Sequence, residues 1–193
     1  MADALERRKL ASAAARLNAA SKHSAILPPL ILMTDDDRLP DPLGAVRALP
    51  KGSLVIVRAR ERAHRLQLLT AILAIGDRIV LVADDPELAA QADGLHLPER
   101  RTHETGHWRT HYPRWLITAA AHGAKMPDAD AVLLSPVFPT ASHPGSSALS
   151  PVRANIIAAQ SQVPVYALGG VTARNARLLH GFTGIAAIGA LSV

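Results

Sequence analysis

The sequence predicts an α/β fold, a (β/α)8 TIM barrel with an extra N-terminal helix and no helix after strand 8. Three observations carry this expectation. Eight short apolar runs alternate with helical segments along the 193 residues, the rhythm of a parallel sheet. Aromatic residues make up only 3%, so the core must be built from Ala, Leu, Ile and Val, a palette suited to strands buried on both faces. A count of eight strands favours closure into a barrel over an open doubly wound sheet.

Each element follows from local pattern. Residues 2–20 are Ala-rich, with Leu5, Leu10 and Leu17 among charged side chains, which predicts a helix with a thin apolar stripe. Its Glu6-Arg7-Arg8-Lys9 cluster reads as a solvated face, the alternative being a basic nucleic-acid arm. Residues 30–34 form the first strand, followed by a polar, Pro-punctuated loop and a short helix over 43–49. The second strand covers 54–58 and the helix after it 62–75, with Leu66, Leu69, Ile72 and Leu73 at helical spacing. A third strand over 78–83 meets Asp84-Asp85-Pro86, where Pro suits the first turn of a helix over 86–91.

The fourth strand covers 95–97, and residues 102–112 form a weaker helix interrupted by Gly106. The fifth strand is placed at 114–118 with a short helix over 119–125, and the sixth at 131–134 with a long loop over 135–147. A helix near 149–160 leads to the seventh strand, 163–168, and a helix over 172–180 to the eighth, 185–188. Residues 1–25 thus read as a helical extension and 30–193 as the barrel. With no helix after the eighth strand, its outer face needs cover from the N-terminal helix or from a second copy in a homodimer. Ala92-Asp93-Gly94-Leu95, Ala129-Asp130-Ala131-Val132 and Thr183-Gly184-Ile185-Ala186 echo one another as a polar turn before an apolar strand.

Composition narrows the chemistry. With no cysteine, disulfides, thiolate catalysis and Cys-based zinc sites are excluded. Arg7, Arg8 and Lys9 precede no apolar secretory segment, and the apolar run over 25–33 is broken by Pro28-Pro29, so a cytoplasmic protein without a membrane span is expected. A net charge of +5 suits anionic partners, small phosphorylated metabolites or, as an alternative class, nucleic acid.

In a parallel barrel the ligand site lies at the carboxyl ends of the strands. Residues at those ends include Arg58 and Arg60, Asp84 and Asp85, His122, Thr140, Gly169, Gly170 and Gly189. Arg58 and Arg60 sit two apart, which puts both on one face of an extended chain, as an anion clamp or as two surface arginines. Gly169-Gly170 followed by Thr172 as an N-cap reads as a phosphate seat at a helix start or as a tight turn that binds nothing. His103, His107 and His111 recur every four residues, but Gly106 and Pro113 argue against a rigid metal-binding helix. His143 and His122 fall on mouth loops, His143 being the better acid–base or phosphate candidate.

Ser135-Pro136-Val137-Phe138-Pro139-Thr140, Val163-Pro164-Val165-Tyr166-Ala167-Leu168-Gly169-Gly170-Val171 and Gly184-Ile185-Ala186-Ala187-Ile188 resemble the second half of thiamine phosphate synthase and its TenI-like relatives. The stretches 30–35, 55–60, 81–84 and 92–97 are similar to the first half, in order. The resemblance implies a barrel that joins a hydroxymethylpyrimidine diphosphate to a thiazole phosphate and releases pyrophosphate with the help of Mg²⁺. By position it implies Arg58 and Arg60 at the pyrophosphate, and Asp84 at Mg²⁺. It implies Thr140 and Ser142 as loop hydroxyls, Gly170 at the thiazole phosphate, and Ile188 with Gly189 as the last phosphate-binding backbone. The family carries Gln where this chain has Ile56, Asn at Ala83, Ser at Ala120, Lys at His143 and Ser at Gly189. Near Arg100 and Arg101 it has a second Mg²⁺-binding Asp. The TenI-like tautomerases have His where this chain has Pro136. A non-catalytic phosphate-metabolite binder is the alternative reading within the family.

Overall fold

The computed structural model describes residues 4–24, 27–140 and 148–191. Eight strands form one closed, all-parallel barrel in sequence order. They are β1 (Leu30–Met33), β2 (Leu54–Val57), β3 (Ile79–Ala83), β4 (Gly94–Leu97), β5 (Leu116–Ala121), β6 (Ala131–Leu134), β7 (Val165–Ala167) and β8 (Gly184–Ala187). The helices are α1 (Ala4–Ala20), α2 (Pro42–Ala48), α3 (Arg62–Leu73), α4 (Pro86–Ala89), α5 (Thr105–His111) and α6 (Pro151–Gln160). Closure is made by β1 against β8, with Leu30 opposite Ile185 and Leu32 opposite Ala187.

Register sorts the strand residues onto two faces, because side chains alternate along a strand. Met33 lies opposite Ile56, Ile56 opposite Leu81, Ala83 opposite His96, and His96 opposite Thr118. Ala120 then pairs with Leu133, and Leu133 with Tyr166, so these residues share the barrel interior. The alternate set, including Val55, Val82, Leu95, Ile117, Val132 and Ile185, faces outward and is buried all the same. A strand apolar on both faces is the reason for the continuous Val, Leu, Ile and Ala runs.

The sequence echo has a physical cause at the amino ends of the strands. Asp93 takes the N–H of Val80 on its carboxylate at 2.8 Å and returns its own N–H to the Val80 carbonyl at 2.9 Å. Asp130 does the same with Ile117, at 2.7 and 2.8 Å. Thr183 repeats the backbone half, donating to the Val165 carbonyl at 2.7 Å. Each polar residue thereby locks a new strand to its predecessor.

α1 packs against β8. Leu10, Ala14 and Leu17 are buried, at helical spacing, whereas Leu5 is exposed. At its end Asn18 Nδ2 donates to the Thr183 carbonyl at 3.1 Å, and the Ser21 and Thr183 hydroxyls share a 3.2 Å hydrogen bond just before β8. After β8 the described chain makes only a 3-10 turn, Gly189–Leu191.

Three expected helices are different in the structure. Residues 119–121 belong to β5, and no helix spans the segment before β6, because Ala119, Ala120 and Ala121 pair with Val132, Leu133 and Leu134. Sheet closure overrides the helix preference of alanine. The helix expected over 172–180 shrinks to a 3-10 turn, Ala176–Leu178. Asn175 accepts the Thr172 N–H at 2.8 Å and donates to the Gly170 carbonyl at 2.8 Å, a local competition that Asn side chains often win against helix. The segment over 102–112 divides into a 3-10 stretch, Glu99–Glu104, and α5, so the three histidines do not share one helix. Among the described residues no helix is long and apolar enough to cross a membrane.

Candidate functional site

A cavity of about 770 Å³ opens at the carboxyl ends of the strands. Arg38, Arg58, Arg65, Asp84, Glu99 and Arg100 line one side, while Thr140, Gly169 and Ile188 line the other. Its floor is Met33, Ala83, His96 and Ala120, the upper interior residues of four strands.

Thr34, fully buried at the end of β1, positions Arg58. Its hydroxyl accepts the Arg58 N–H at 2.8 Å and donates to the Arg58 carbonyl at 2.6 Å, stitching the ends of two strands together. The guanidinium of Arg58 then reaches Asp35 at 3.3 Å, where Arg38 also binds at 2.8 Å. The Arg38 hydrogen bond leads in holding the Asp35 carboxyl down at about 2, against its burial. Arg60 takes another course. It pairs with Asp37, donates its backbone N–H to Asp36 at 2.8 Å, and lies outside the cavity wall. The two arginines two apart in sequence do not converge, because the chain has left the strand after Val57 and strand alternation no longer holds.

Arg65 comes from the first turns of α3 and is only 15% exposed. It donates to the Ala59 carbonyl at 2.6 Å and approaches Asp85 at 3.6 Å, while its buried Nε has no partner. No sequence motif marks it. The available signal is topological: helices that follow parallel strands begin at the mouth, so first-turn side chains reach it.

Asp84 adopts a left-handed backbone, φ 58°, and donates its N–H to the His96 carbonyl at 3.0 Å. This conformation is uncommon outside glycine, though Asp tolerates it better than most residues. Both carboxylate oxygens are taken by guanidinium groups: one by Arg100, the other by Arg101 at 2.7 Å. Arg101 in turn clasps Glu104 through two 2.7 Å hydrogen bonds, and Glu104 also accepts from the Trp108 indole at 2.9 Å. Glu104, with Asp84 adding to it, pushes the Arg101 pKa up, and Arg101 holds Glu104 down at about 2. The donor set does not fit a bound Mg²⁺, which wants carboxylate oxygens open to it. Among the described residues no group of three His, Asp or Glu side chains is placed to hold a metal.

His122 meets Glu99 at the rim, where Nδ1 lies 2.8 Å from one carboxylate oxygen and the backbone N–H donates to the other at 3.2 Å. His96 is buried beneath, with Nδ1 2.8 Å from the Thr118 hydroxyl. Burial chiefly pushes its pKa down to about 4, Arg58 adding to this and Asp84 opposing it, so the floor of the cavity is a neutral imidazole at pH 7.

Across the mouth the Gly-Gly turn is dictated by the chain itself. A Cβ on Gly169 would stand 2.8 Å from Pro136 Cα, and one on Gly170 would stand 2.5 Å from the Pro139 carbonyl oxygen. Both also have positive φ, 89° and 65°. Val137 and Phe138 donate to the Leu168 and Gly169 carbonyls at 3.0 and 3.1 Å, so the loops after β6 and β7 continue the ladder beyond the barrel. Gly169 lines the cavity, whereas Gly170 and Gly189 are not among its lining residues. Ser142 and His143 lie outside the described residues.

The barrel is shared with proteins of known structure. A Pyrococcus furiosus structure named thiamine phosphate pyrophosphorylase superposes with a TM-score of 0.67 at 19% identity, covering 90% of this chain and 87% of that one. N-(5'-phosphoribosyl)anthranilate isomerase from the same organism reaches a TM-score of 0.55 at 12% identity, covering 82% and 88%. Both likenesses speak for the barrel alone. In sequence, the Aquifex aeolicus protein named "Putative thiamine-phosphate synthase 2" is 33% identical over 126 residues, 61% of this chain and 64% of that one. The Chlorobium luteolum thiamine-phosphate synthase is 31% identical over 195 residues, covering 89% of this chain and 87% of the relative. The family model for thiamine monophosphate synthase, TMP-TENI, matches residues 30–191, the whole barrel and its mouth, and the chain belongs to that family.

Proposed function

We propose that the chain is a transferase of thiamine biosynthesis that joins a hydroxymethylpyrimidine diphosphate to a thiazole phosphate. The observation that carries this reading is the division of the mouth: guanidinium groups on the β1–β4 side and a backbone-lined edge, Gly169 with Ile188, on the other. Family membership supplies the substrate class.

In that reaction the bond between the pyrimidine methylene carbon and the diphosphate oxygen breaks, and its electron pair leaves with pyrophosphate. The thiazole nitrogen lone pair forms the new C–N bond, so no proton has to move for the balance to close. Arg38, Arg58, Arg65 and Arg100 stabilise the charge that develops on the leaving oxygens. The backbone around Gly169 holds the thiazole phosphate opposite. His96, neutral and buried at the floor, adds no positive charge beneath the site. No step is routed through Mg²⁺, since guanidinium groups surround Asp84.

A second reading, a binder of phosphorylated metabolites without turnover, is favoured by two apolar residues of the barrel interior. Ile56 and Ala83 face the interior where the family carries Gln and Asn, so pyrimidine recognition by those two side chains is lost. The two readings separate in one assay, incubation with both substrates followed by pyrophosphate release and thiamine phosphate formation. Product is expected. Calorimetric binding of thiazole phosphate with no product after prolonged incubation would favour the binder.

A further inference from the structure

The acids at the mouth are already engaged. Asp35 is bracketed by Arg38 and Arg58, Asp84 by Arg100 and Arg101, and Glu99 by His122. What faces the cavity on that side is four guanidinium groups against two carboxylates. A diphosphate arriving with a divalent cation would bring that cation against fixed positive charge, at a place where each carboxylate already has a partner. A diphosphate arriving alone would meet planar donors matched to its oxygens, in a wall that already carries the neutralising charge. Arg58 and Arg100 are 50% and 67% exposed, so both can turn from their present partners to the ligand without unpacking the core.

We propose that this site binds its diphosphate group without a metal, through Arg38, Arg58, Arg65 and Arg100, and that Asp84 anchors arginines rather than a cation. This rests on the transferase reading for the identity of the diphosphate, but not for the existence of the anion site. The difference from the family expectation lies in which charge does the work. A guanidinium is permanent and donates directional hydrogen bonds, whereas Mg²⁺ must be recruited by acids that this mouth uses otherwise.

Titration calorimetry of the full chain with inorganic pyrophosphate, in EDTA and then in excess Mg²⁺, tests the proposal. Binding is expected in EDTA, with Mg²⁺ leaving the affinity unchanged or weakening it by competing for the ligand. Arg100→Ala, a largely exposed position, and Arg58→Ala should each weaken binding in EDTA by about tenfold or more, the scale of a charge-assisted hydrogen bond. Asp84→Asn should change the affinity by the same factor in both buffers, because its carboxylate touches arginines and not a cation. Binding that requires Mg²⁺, or a loss in Asp84→Asn confined to the Mg²⁺ buffer, overturns the proposal. If thiazole phosphate binds while pyrophosphate fails in both buffers, the proposal falls and the transferase reading stands. Pyrophosphate binding in EDTA without turnover leaves the proposal intact and removes the transferase.

Discussion

His96 shows how one side chain ties the barrel interior to its pH behaviour. Its Nδ1 contacts Thr118, and burial depresses the pKa from 6.5 to about 4. Between those values the unfolded chain takes up a proton that the folded barrel refuses. The stability contributed by neutral His96 is therefore complete above pH 6.5 and is lost as the pH falls toward 4. The loss is about 3 kcal/mol, since each tenfold drop in proton affinity is worth about 1.4 kcal/mol. Denaturant unfolding at pH 7 and pH 4 measures it, and His96→Gln should remove most of the slope. An unaltered slope in that variant would assign the effect to other groups. Single residues also differ most in how far the sequence reveals them. Arg58, Asp84, His122, Thr140 and Gly169 are legible because each lies beyond the carboxyl end of a strand, Ile188 is legible through the family resemblance, and all six line the cavity. Arg38, Arg65 and Arg100 are not, since an arginine in a loop or first helical turn carries no motif. Only the assembled mouth shows that the three converge with Arg58.

Among the elements, α1 is the one whose role the sequence leaves as a question. Leu10, Ala14 and Leu17 form its buried face, and the helix packs against β8. Leu10→Ala should destabilise the protein by about 3 kcal/mol through lost burial and a cavity, a fall of roughly 6–12 °C in Tm. Leu5→Ala, on the exposed side of the same helix, should leave Tm within about 1 °C. Equal effects from the two, read by calorimetry, would mean that the helix face is wrongly assigned. Two other elements show where local pattern runs out. Ala119 to Ala121 have helical preference and become strand, because β6 supplies hydrogen-bond partners in register. Residues after Gly170 have an N-cap signature and make only a turn, because Asn175 satisfies the same backbone groups from the side. With that helix gone, any anion held on this side meets a turn and not a helix start.

Across the whole molecule, a closed barrel places the eight strand ends around one opening, so a ligand bridging them stabilises the entire fold. Inorganic pyrophosphate at about 100 times its Kd should add about 2.7 kcal/mol, raising Tm by roughly 5–11 °C. High salt should shrink the shift, because the attraction acts between charges that remain partly exposed. Scanning fluorimetry at low and high ionic strength checks both statements, and a shift indifferent to salt would argue against guanidinium-led binding. Strand count, parallel order and the side of the barrel that carries the site are all dictated by the chain's linear pattern. They follow from apolar run length, from helix–strand alternation and from the rule that parallel strands present their carboxyl ends together. The same pattern marks glycine at 169 and 170, although the reason it must stand there, the backbone of the preceding loop, is visible only in three dimensions. Which charges meet is settled by the folded molecule alone. Asp84 is a metal ligand or an arginine anchor depending on what stands within about 3 Å of it, and Arg100 and Arg101 reach it only once β3 and β4 lie side by side. Electrostatic partnership depends on distance through space, and local sequence pattern carries little of that information.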